Sequence, residues 1–250
     1  MLALITGASS GIGRDMARIL SEKGYDLILV ARRKTKLQAL KKELNTNVEC
    51  IVMDISTTFN CMELYQEVKD RDIDILINNA GFGLFGEFCE TNLDKELDMI
   101  DLNIKAVHTL TKLFLKDFKK KNKGYILNVA SSAAFLPGPL MATYYGTKAY
   151  VLRLTESIHE ELKKEKSNVY IGALCPGPVN TEFNKVAKVS FQLPGMESRD
   201  VAEYAIKKMF KKKMIIIPGI TMKVSKFMIR FIPESILLHT AYHIQKRKRD

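Results

Sequence analysis

A short apolar segment followed by a glycine-rich turn opens the chain and restricts its fold more than any other stretch. Leu2-Ala3-Leu4-Ile5 predicts a buried strand, and an amphipathic segment to about Lys23 predicts a helix. Between them lies Thr6-Gly7-Ala8-Ser9-Ser10-Gly11-Ile12-Gly13. Its glycines allow a tight turn and a close approach to a ligand, and the helix amino terminus offers free N–H groups to a pyrophosphate. Because the spacing differs from the commoner G-x-G-x-x-G, the nucleotide site is inferred from the position between strand and helix.

Strands and helices alternate through most of the chain. Six further apolar segments predict strands at 26–31, 48–53, 73–77, 125–130, 169–174 and 214–217. Helical periodicity is found between them, at about 34–44, 57–69, 92–121, 142–166 and 198–208. This order predicts a Rossmann-like, doubly wound α/β fold with seven parallel strands, which binds ligands at the carboxyl ends of its strands. We expect one dinucleotide-binding catalytic domain over 1–220, with a substrate lid at about 182–197, and a C-terminal helical extension of that domain over 221–250.

The end of the second predicted strand is basic. Folds that bind NAD place a carboxylate there for the ribose 2′-hydroxyl, whereas this strand ends Ala31-Arg32-Arg33-Lys34. A guanidinium would instead pair with a 2′-phosphate, which favours NADP(H) over NAD(H). The alternative is a basic start to the next helix. Asp54, before Ile55 at the end of the third strand, is placed either to bind an adenine amino group or to cap the following helix.

A serine, a tyrosine and a lysine follow the fifth predicted strand. Tyr144 and Lys148 lie four residues apart on one helical face, and Ser131 lies thirteen residues before Tyr144. A free tyrosine has a pKa near about 10, and a neighbouring ammonium is expected to lower it. Taken alone, the pair is also explained as an ordinary helix surface. Asn103, inside a predicted helix, is either solvent-facing or marks a kink or a bound water.

These motifs together resemble the short-chain dehydrogenase/reductase family, over residues 1 to about 210. The resemblance rests on Thr6-Gly7-x-x-x-Gly11-Ile12-Gly13, Asn78-Asn79-Ala80-Gly81, Asn103, Ser131 with Tyr144-x-x-x-Lys148, and Pro176-Gly177 with Thr181. Ala130 stands where many members have the first of two serines, so the spacing to Tyr144 selects Ser131 over Ser132. The stretch 128–155 is most similar to bacterial reductases of unassigned substrate and to the ketoreductases of fatty-acid elongation.

The resemblance implies an oxidoreductase that transfers a hydride between NADP(H) and a carbonyl or secondary alcohol. An apolar lid and tail favour a lipophilic ketone or ketoacyl substrate. In this family pattern Tyr144 is the general acid in reduction and the base in oxidation. Lys148 lowers its pKa and binds the nicotinamide ribose, Ser131 polarises the carbonyl, and Asn103 kinks its helix and holds a water.

We expect a set of cofactor-binding residues from the glycine-rich turn, from the ends of the predicted strands and from the family resemblance. They are Gly7, Ser9, Ser10, Gly11, Ile12, Gly13, Arg32, Arg33, Asp54, Ile55, Asn79, Ala80, Gly81, Tyr144, Lys148, Pro176, Gly177, Val179 and Thr181. The chemistry requires no metal. The alternative function is a catalytically silent NADPH-binding regulator, although all four catalytic positions are filled.

The net charge and the cysteine content limit the classes of partner and the compartment that we expect. With 39 basic and 28 acidic residues the net charge is +11, which favours anionic partners such as a phosphorylated ligand. No nucleic-acid motif accompanies the charge. The four cysteines are scattered without CxxC spacing, which predicts neither a zinc site nor a disulfide framework and favours the cytoplasm. From the family resemblance we expect a homodimer or homotetramer.

The tail over 221–250 is basic and amphipathic. Its apolar positions are Phe227, Met228, Phe231, Ile232, Ile236, Leu237, Leu238 and Tyr242. Three interpretations remain: a wall of the substrate pocket, a contact between subunits, or an interfacial membrane helix. The first two are favoured because the body of the chain already has the pattern of a soluble enzyme.

Overall fold

Nine strands are present in the computed structural model, which describes residues 1–187 and 195–246. They are β1 (Leu2–Thr6), β2 (Asp26–Ala31), β3 (Val48–Val52), β4 (Ile73–Asn78), β5 (Tyr125–Val129), β6 (Tyr170–Leu174), β7 (Val179–Asn180), β8 (Met196–Glu197) and β9 (Ile215–Ile216). Seven of them form one sheet in the order β3-β2-β1-β4-β5-β6-β9, in which all neighbours are parallel. The predicted seven-stranded, doubly wound sheet is therefore confirmed. The short strands β7 and β8 pair with each other beside it.

Helices connect the strands. They are α1 (Gly11–Glu22), α2 (Lys34–Glu43), α3 (Thr58–Val68), α4 (Leu93–Ile100), α5 (Val107–Lys121), α6 (Ala142–Lys164), α7 (Glu182–Ala187), α8 (Ser198–Phe210), α9 (Ile220–Met228) and α10 (Glu234–Lys246). A π-helical segment, Asp101–Ala106, joins α4 to α5, and a 3₁₀ turn, Ile229–Phe231, follows α9. The helix predicted over 92–121 is thus interrupted by a π-helical segment, which contains Asn103.

The sheet is buried on both faces, which explains why its strands are almost continuously apolar. Successive side chains of a strand face opposite layers. In β1, Ala3 and Ile5 pack with α1 and α8, whereas Leu4 packs with α3 and α5. The two layers bury the sheet and leave its carboxyl-terminal edge to carry the site.

The chain order reverses beside the central strand, because β1 has β2 on one side and β4 on the other. Such a reversal opens a crevice at the carboxyl ends of the strands, where α/β folds bind ligands. The glycine-rich turn follows β1 at this point.

The lid predicted at about 182–197 is described only in part. Its first residues form α7, and Met196–Glu197 form β8, whereas 188–194 lie outside the described residues. Within 1–187 and 195–246, none of the helices combines the length and the hydropathy that crossing a bilayer requires.

Candidate active site

A cavity of about 1150 Å³ lies along the carboxyl ends of the central strands. Its lining contains Ser131, Tyr144 and Lys148, together with nearly all of the expected cofactor-binding residues. Two predicted residues lie behind this lining: Gly13 packs against Asn79, and Asn103 binds the backbone of Phe82. The fold thus brings the polar side chains predicted from the sequence to a single cleft.

The glycine-rich turn closely approaches the end of β4. Gly7 has φ +65°, and a Cβ there would lie 2.7 Å from the Cα of Ala80. A Cβ at Gly13 would lie 2.3 Å from the Nδ2 of Asn79, an atom that donates to the carbonyls of Thr6 and Gly7 at 3.1 Å. Larger residues would therefore displace the strand end. The turn keeps the amino terminus of α1 beside the cavity, a geometry suited to pyrophosphate.

Of the two arginines that follow β2, Arg33 faces the glycine-rich turn. Its guanidinium donates to Ser9 Oγ and to Ser10 Oγ, each at 2.9 Å from Nη2. Its Nη1 donates to the carboxylate of Glu182 at 2.7 Å, and Lys36 donates to the same carboxylate. These two bonds, that from Lys36 first, hold the pKa of Glu182 at about 2. The donors gathered here are the kind that bind a phosphate.

Arg32 has a different neighbour. It is largely exposed, and its Nη1 lies 3.4 Å from Oδ2 of Asp54. The carboxylate of Asp54 also accepts the backbone N–H of Ser56. The helix that follows is capped by Thr57, whose hydroxyl accepts the N–H of Asn60 at 3.1 Å. The capping alternative for Asp54 is therefore wrong, and its carboxylate remains at the cavity rim.

The serine, tyrosine and lysine meet between β5 and α6. Lys148, 5% exposed, donates from Nζ to the carbonyl of Val129 at 2.9 Å. The same Nζ lies 5.9 Å from the centroid of the Tyr144 ring. Ser131 Oγ accepts the N–H of Ala133 at 3.1 Å, and a hydrogen bond from Ser131 favours the phenolate of Tyr144. Phenol, hydroxyl and ammonium thus share one buried pocket.

Burial is the largest influence on the pKa values of Tyr144 and Lys148 in this pocket. It raises the pKa of Tyr144 to about 12, although the hydrogen bond with Ser131 lowers it in part. Burial also lowers the pKa of Lys148 to about 8. The expected lowering of the Tyr144 pKa below its ordinary value is therefore wrong here, because the loss of hydration penalises both charged forms. At neutral pH the phenol keeps its proton, which is the form that a proton donor requires.

Asn103 is fully buried, so the solvent-facing interpretation is excluded. Its Oδ1 accepts the N–H of Phe82 at 3.1 Å, and its Nδ2 donates to the Phe82 carbonyl at 2.9 Å and to Thr147 Oγ1 at 3.1 Å. Thr147 in turn donates to the carbonyl of Tyr144 at 2.7 Å. Asn103 therefore fastens the loop after β4 to the turn of α6 that carries the tyrosine.

One side of the cavity is apolar. The ring of Phe183 on α7 lies 5.4 Å from the ring of Tyr144, between centroids. Further apolar lining comes from Phe82, Leu84, Phe85, Met141 and Val186. Sequence reasoning missed the first three, although an apolar cluster directly after the Asn-Asn-Ala-Gly motif is visible in the sequence. It also missed Lys36 and Glu182, whose pairing depends on residues 146 positions apart.

The tail contacts this apolar side through α10. Gln245 on α10 donates to the hydroxyl of Tyr145, and Ala241, one turn earlier, is buried with it. Because Tyr145 lines the cavity, α10 supports the cavity wall from behind.

Relatives with curated descriptions share much of the chain. An uncharacterised oxidoreductase of Staphylococcus epidermidis is 33% identical over 186 residues, which are 74% of this chain and 80% of that protein. The very-long-chain 3-oxoacyl-CoA reductase of Homo sapiens is 29% identical over 245 residues, which are 94% of this chain and 74% of that protein.

Solved structures agree with the fold and the family. A short-chain dehydrogenase from Sphingobium yanoikuyae in complex with NADPH matches with a TM-score of 0.82, at 32% identity over 88% of each chain. The family model described as short chain dehydrogenase matches residues 1–189, about three quarters of the chain. With the motifs and the sheet described above, these matches show that the chain belongs to the short-chain dehydrogenase/reductase family of oxidoreductases.

Proposed function

We propose that this chain is an NADP(H)-dependent reductase of a lipophilic ketone or ketoacyl substrate, or the corresponding alcohol dehydrogenase. One observation carries the proposal: Ser131, Tyr144 and Lys148 line one cavity with the glycine-rich turn. Family membership supplies the reaction class, the transfer of a hydride between a nicotinamide and a carbonyl or alcohol carbon.

The residues of the cavity fit the dinucleotide. The turn around Gly7 leaves the close space that a pyrophosphate requires, and Thr181 Cγ2 would lie 3.0 Å from a Cβ at Gly11. Arg33, with Ser9, Ser10 and Lys36, would hold the 2′-phosphate. The adenine would lie against Asp54 and Ile55. The nicotinamide ribose would lie against Lys148 and residues 79–81. The nicotinamide itself would lie against Pro176, Gly177, Val179 and Thr181. When bound, the cofactor supplies or accepts the hydride.

The chain's own residues would manage the proton. Tyr144, protonated at neutral pH, donates its phenolic proton to the substrate oxygen in reduction. Ser131 donates a hydrogen bond to the same oxygen, and the Lys148 ammonium stabilises the phenolate that remains. Asn103 positions these groups by tying the loop at Phe82 to α6.

Substrate class is inferred from the apolar side of the cavity. The rings of Phe82, Phe85 and Phe183 offer an apolar surface to an alkyl chain or a fused ring system, and the charged side chains of Glu87, Glu90, Lys95 and Asp98 also line the cavity. The human relative that acts on very-long-chain 3-oxoacyl-CoA supports a ketoacyl substrate.

Two further parts of the proposal concern the whole molecule. Residues 1–220 would form the catalytic domain and 221–250 its extension. A cytoplasmic homodimer or homotetramer would form through α5 and α6, whose exposed surfaces are already linked by a hydrogen bond of 2.7 Å between His108 and Tyr150.

The test is turnover of Tyr144→Phe beside Tyr145→Phe, with NADPH oxidation followed by absorbance over a panel of aliphatic ketones and 3-oxoacyl thioesters. We expect Tyr144→Phe to lower kcat by about 10²–10⁴-fold, since a proton donor is lost. Its affinity for NADPH should stay within about twofold, because the buried ring is retained. Tyr145→Phe, which loses only the contact with Gln245, should keep most of its turnover.

Retained turnover in Tyr144→Phe would remove that residue from its role. If the wild-type protein binds NADPH tightly yet oxidises it with none of the carbonyls, the silent NADPH-binding regulator becomes the better description.

A further inference from the structure

The outward face of α9 and the turn after it is apolar and exposed. Ile220 is 78% exposed, Phe227 59% and Phe231 69%, and Val224 and Met228 are also exposed between them. The five positions recur at intervals of three and four residues, so they form one helical face. Globular proteins seldom expose an apolar stripe of this length unless it contacts a partner.

The opposite face of α9 fixes this orientation. Met222 packs against Gly177, where a Cβ would lie 2.9 Å from its Cγ and Sδ. On the same side, Lys226 Nζ lies 4.8 Å from the centroid of the Phe135 ring. The helix is thus anchored on the body by one face while the apolar face points away. The cavity lining comes from positions between 7 and 186, so the apolar face is separate from the substrate site.

Positive charge borders the apolar face. Lys223 and Arg230 lie on the same segment, and Lys208 shares the Tyr204 ring with Lys223, at 5.3 Å from its centroid. Burial lowers the pKa of Lys226; Cys175 and Glu156 oppose this shift, and the nearby charges of Arg230 and Arg153 add to it. From 220 to 250 the sequence has seven lysines and arginines against Glu234 and Asp250.

We propose that α9 and the Ile229–Phe231 turn form an interfacial element that binds this protein to an anionic membrane surface. Phenylalanine and isoleucine would enter the boundary between headgroups and acyl chains, and the flanking lysines and arginines would contact lipid phosphates. Nine residues of α9 are too few to cross a bilayer, so the element would lie in the plane of the surface. The clustered positive charge decides between partners, because a second copy of this chain would bring the same charge to the contact.

Two of the three interpretations of the tail then apply to different helices. The pocket-wall interpretation applies to α10, which contacts Tyr145, and the membrane interpretation applies to α9.

The test is co-flotation of the full chain with vesicles of phosphatidylcholine alone, or of phosphatidylcholine mixed with phosphatidylglycerol. We expect binding to the mixed vesicles that weakens as NaCl is raised. The double variant Phe227→Ser/Phe231→Ser should lose roughly tenfold or more of this binding, and Lys223→Glu/Arg230→Glu should lose it on the anionic vesicles. Phe59→Ser on α3, 68% exposed in the wild-type protein, is the matched control and should bind normally.

Oligomeric state and turnover separate this proposal from others. Sedimentation and NADPH oxidation with a water-soluble ketone should be unchanged in the Phe227→Ser/Phe231→Ser variant. Absence of vesicle binding by the wild-type protein would overturn the proposal, as would equal binding by this variant. A variant that changes from oligomer to monomer would instead identify the face as a subunit contact. Since vesicle flotation and sedimentation need no substrate, they remain informative if the proposed reaction is wrong.

Discussion

Replacement of the buried lysine by methionine tests the electrostatics of the site most directly. Lys148 holds an ammonium in a pocket where it is 5% exposed, and one carbonyl, that of Val129, accepts its hydrogen bond. Burial lowers the pKa of this lysine from 10.5 to about 8. Methionine has nearly the same length and no charge, so Lys148→Met should remove the cost of burying the charge while it removes the function.

The magnitude follows from the shift in pKa. A change of about 2.5 pKa units at about 1.4 kcal/mol each destabilises the folded state by about 3 kcal/mol below pH 8. Loss of the hydrogen bond to Val129 costs the variant about 1 kcal/mol. The net expectation at pH 7 is a variant about 2 kcal/mol more stable than wild type, with Tm higher by about 4–8 °C.

The pH dependence gives a sharper signature. Between the folded pKa of about 8 and the unfolded value of 10.5, the unfolded wild-type chain binds more protons at residue 148 than the folded chain. The free energy of unfolding of the wild type should therefore rise with pH across this range relative to the variant. By pH 10 the advantage of Lys148→Met should have largely disappeared.

Urea unfolding followed by circular dichroism, at pH 7 and at pH 10, measures both effects. Lys164→Met, a change at an exposed lysine of the same helix, is the control and should stay within about 0.5 kcal/mol of wild type. A variant less stable than wild type at pH 7 would refute the reasoning, and so would a stability difference that is the same at both pH values.

Two further substitutions test the arrangement around the cavity. Asn103→Ala should lower the free energy of unfolding by about 3 kcal/mol, since three buried or partly buried hydrogen bonds to Phe82 and Thr147 lose their partner. Thermal unfolding measures this, and a loss below about 1 kcal/mol would contradict the positioning role. Arg33→Ala should weaken NADPH binding by roughly tenfold or more and NADH binding by less than about twofold, in fluorescence titrations with Arg32→Ala as control. Equal losses for both cofactors would separate Arg33 from the 2′-phosphate.

The local pattern of the sequence was enough to predict the parallel sheet and the proximity of Ser131, Tyr144 and Lys148. Parallel strands end at a common edge, so residues that follow β1, β4 and β5 are brought together whatever the details of packing. Tyr144 and Lys148 share a helical face because they are four residues apart, and Ser131 follows the strand directly before that helix. These are properties of periodicity and order, which a sequence records completely.

Tertiary structure decided what depends on distant neighbours and on exclusion of water. Arg33 rather than Arg32 faces the turn because Glu182, far away in the chain, lies beside it. The pKa of Tyr144 is raised because the surrounding layers remove water from both it and Lys148. Amphipathic spacing showed that α9 has an apolar side, but only its packing against the body decided that this side faces outward. Burial and long-range pairing arise from the folded chain as a whole, so no local segment encodes them.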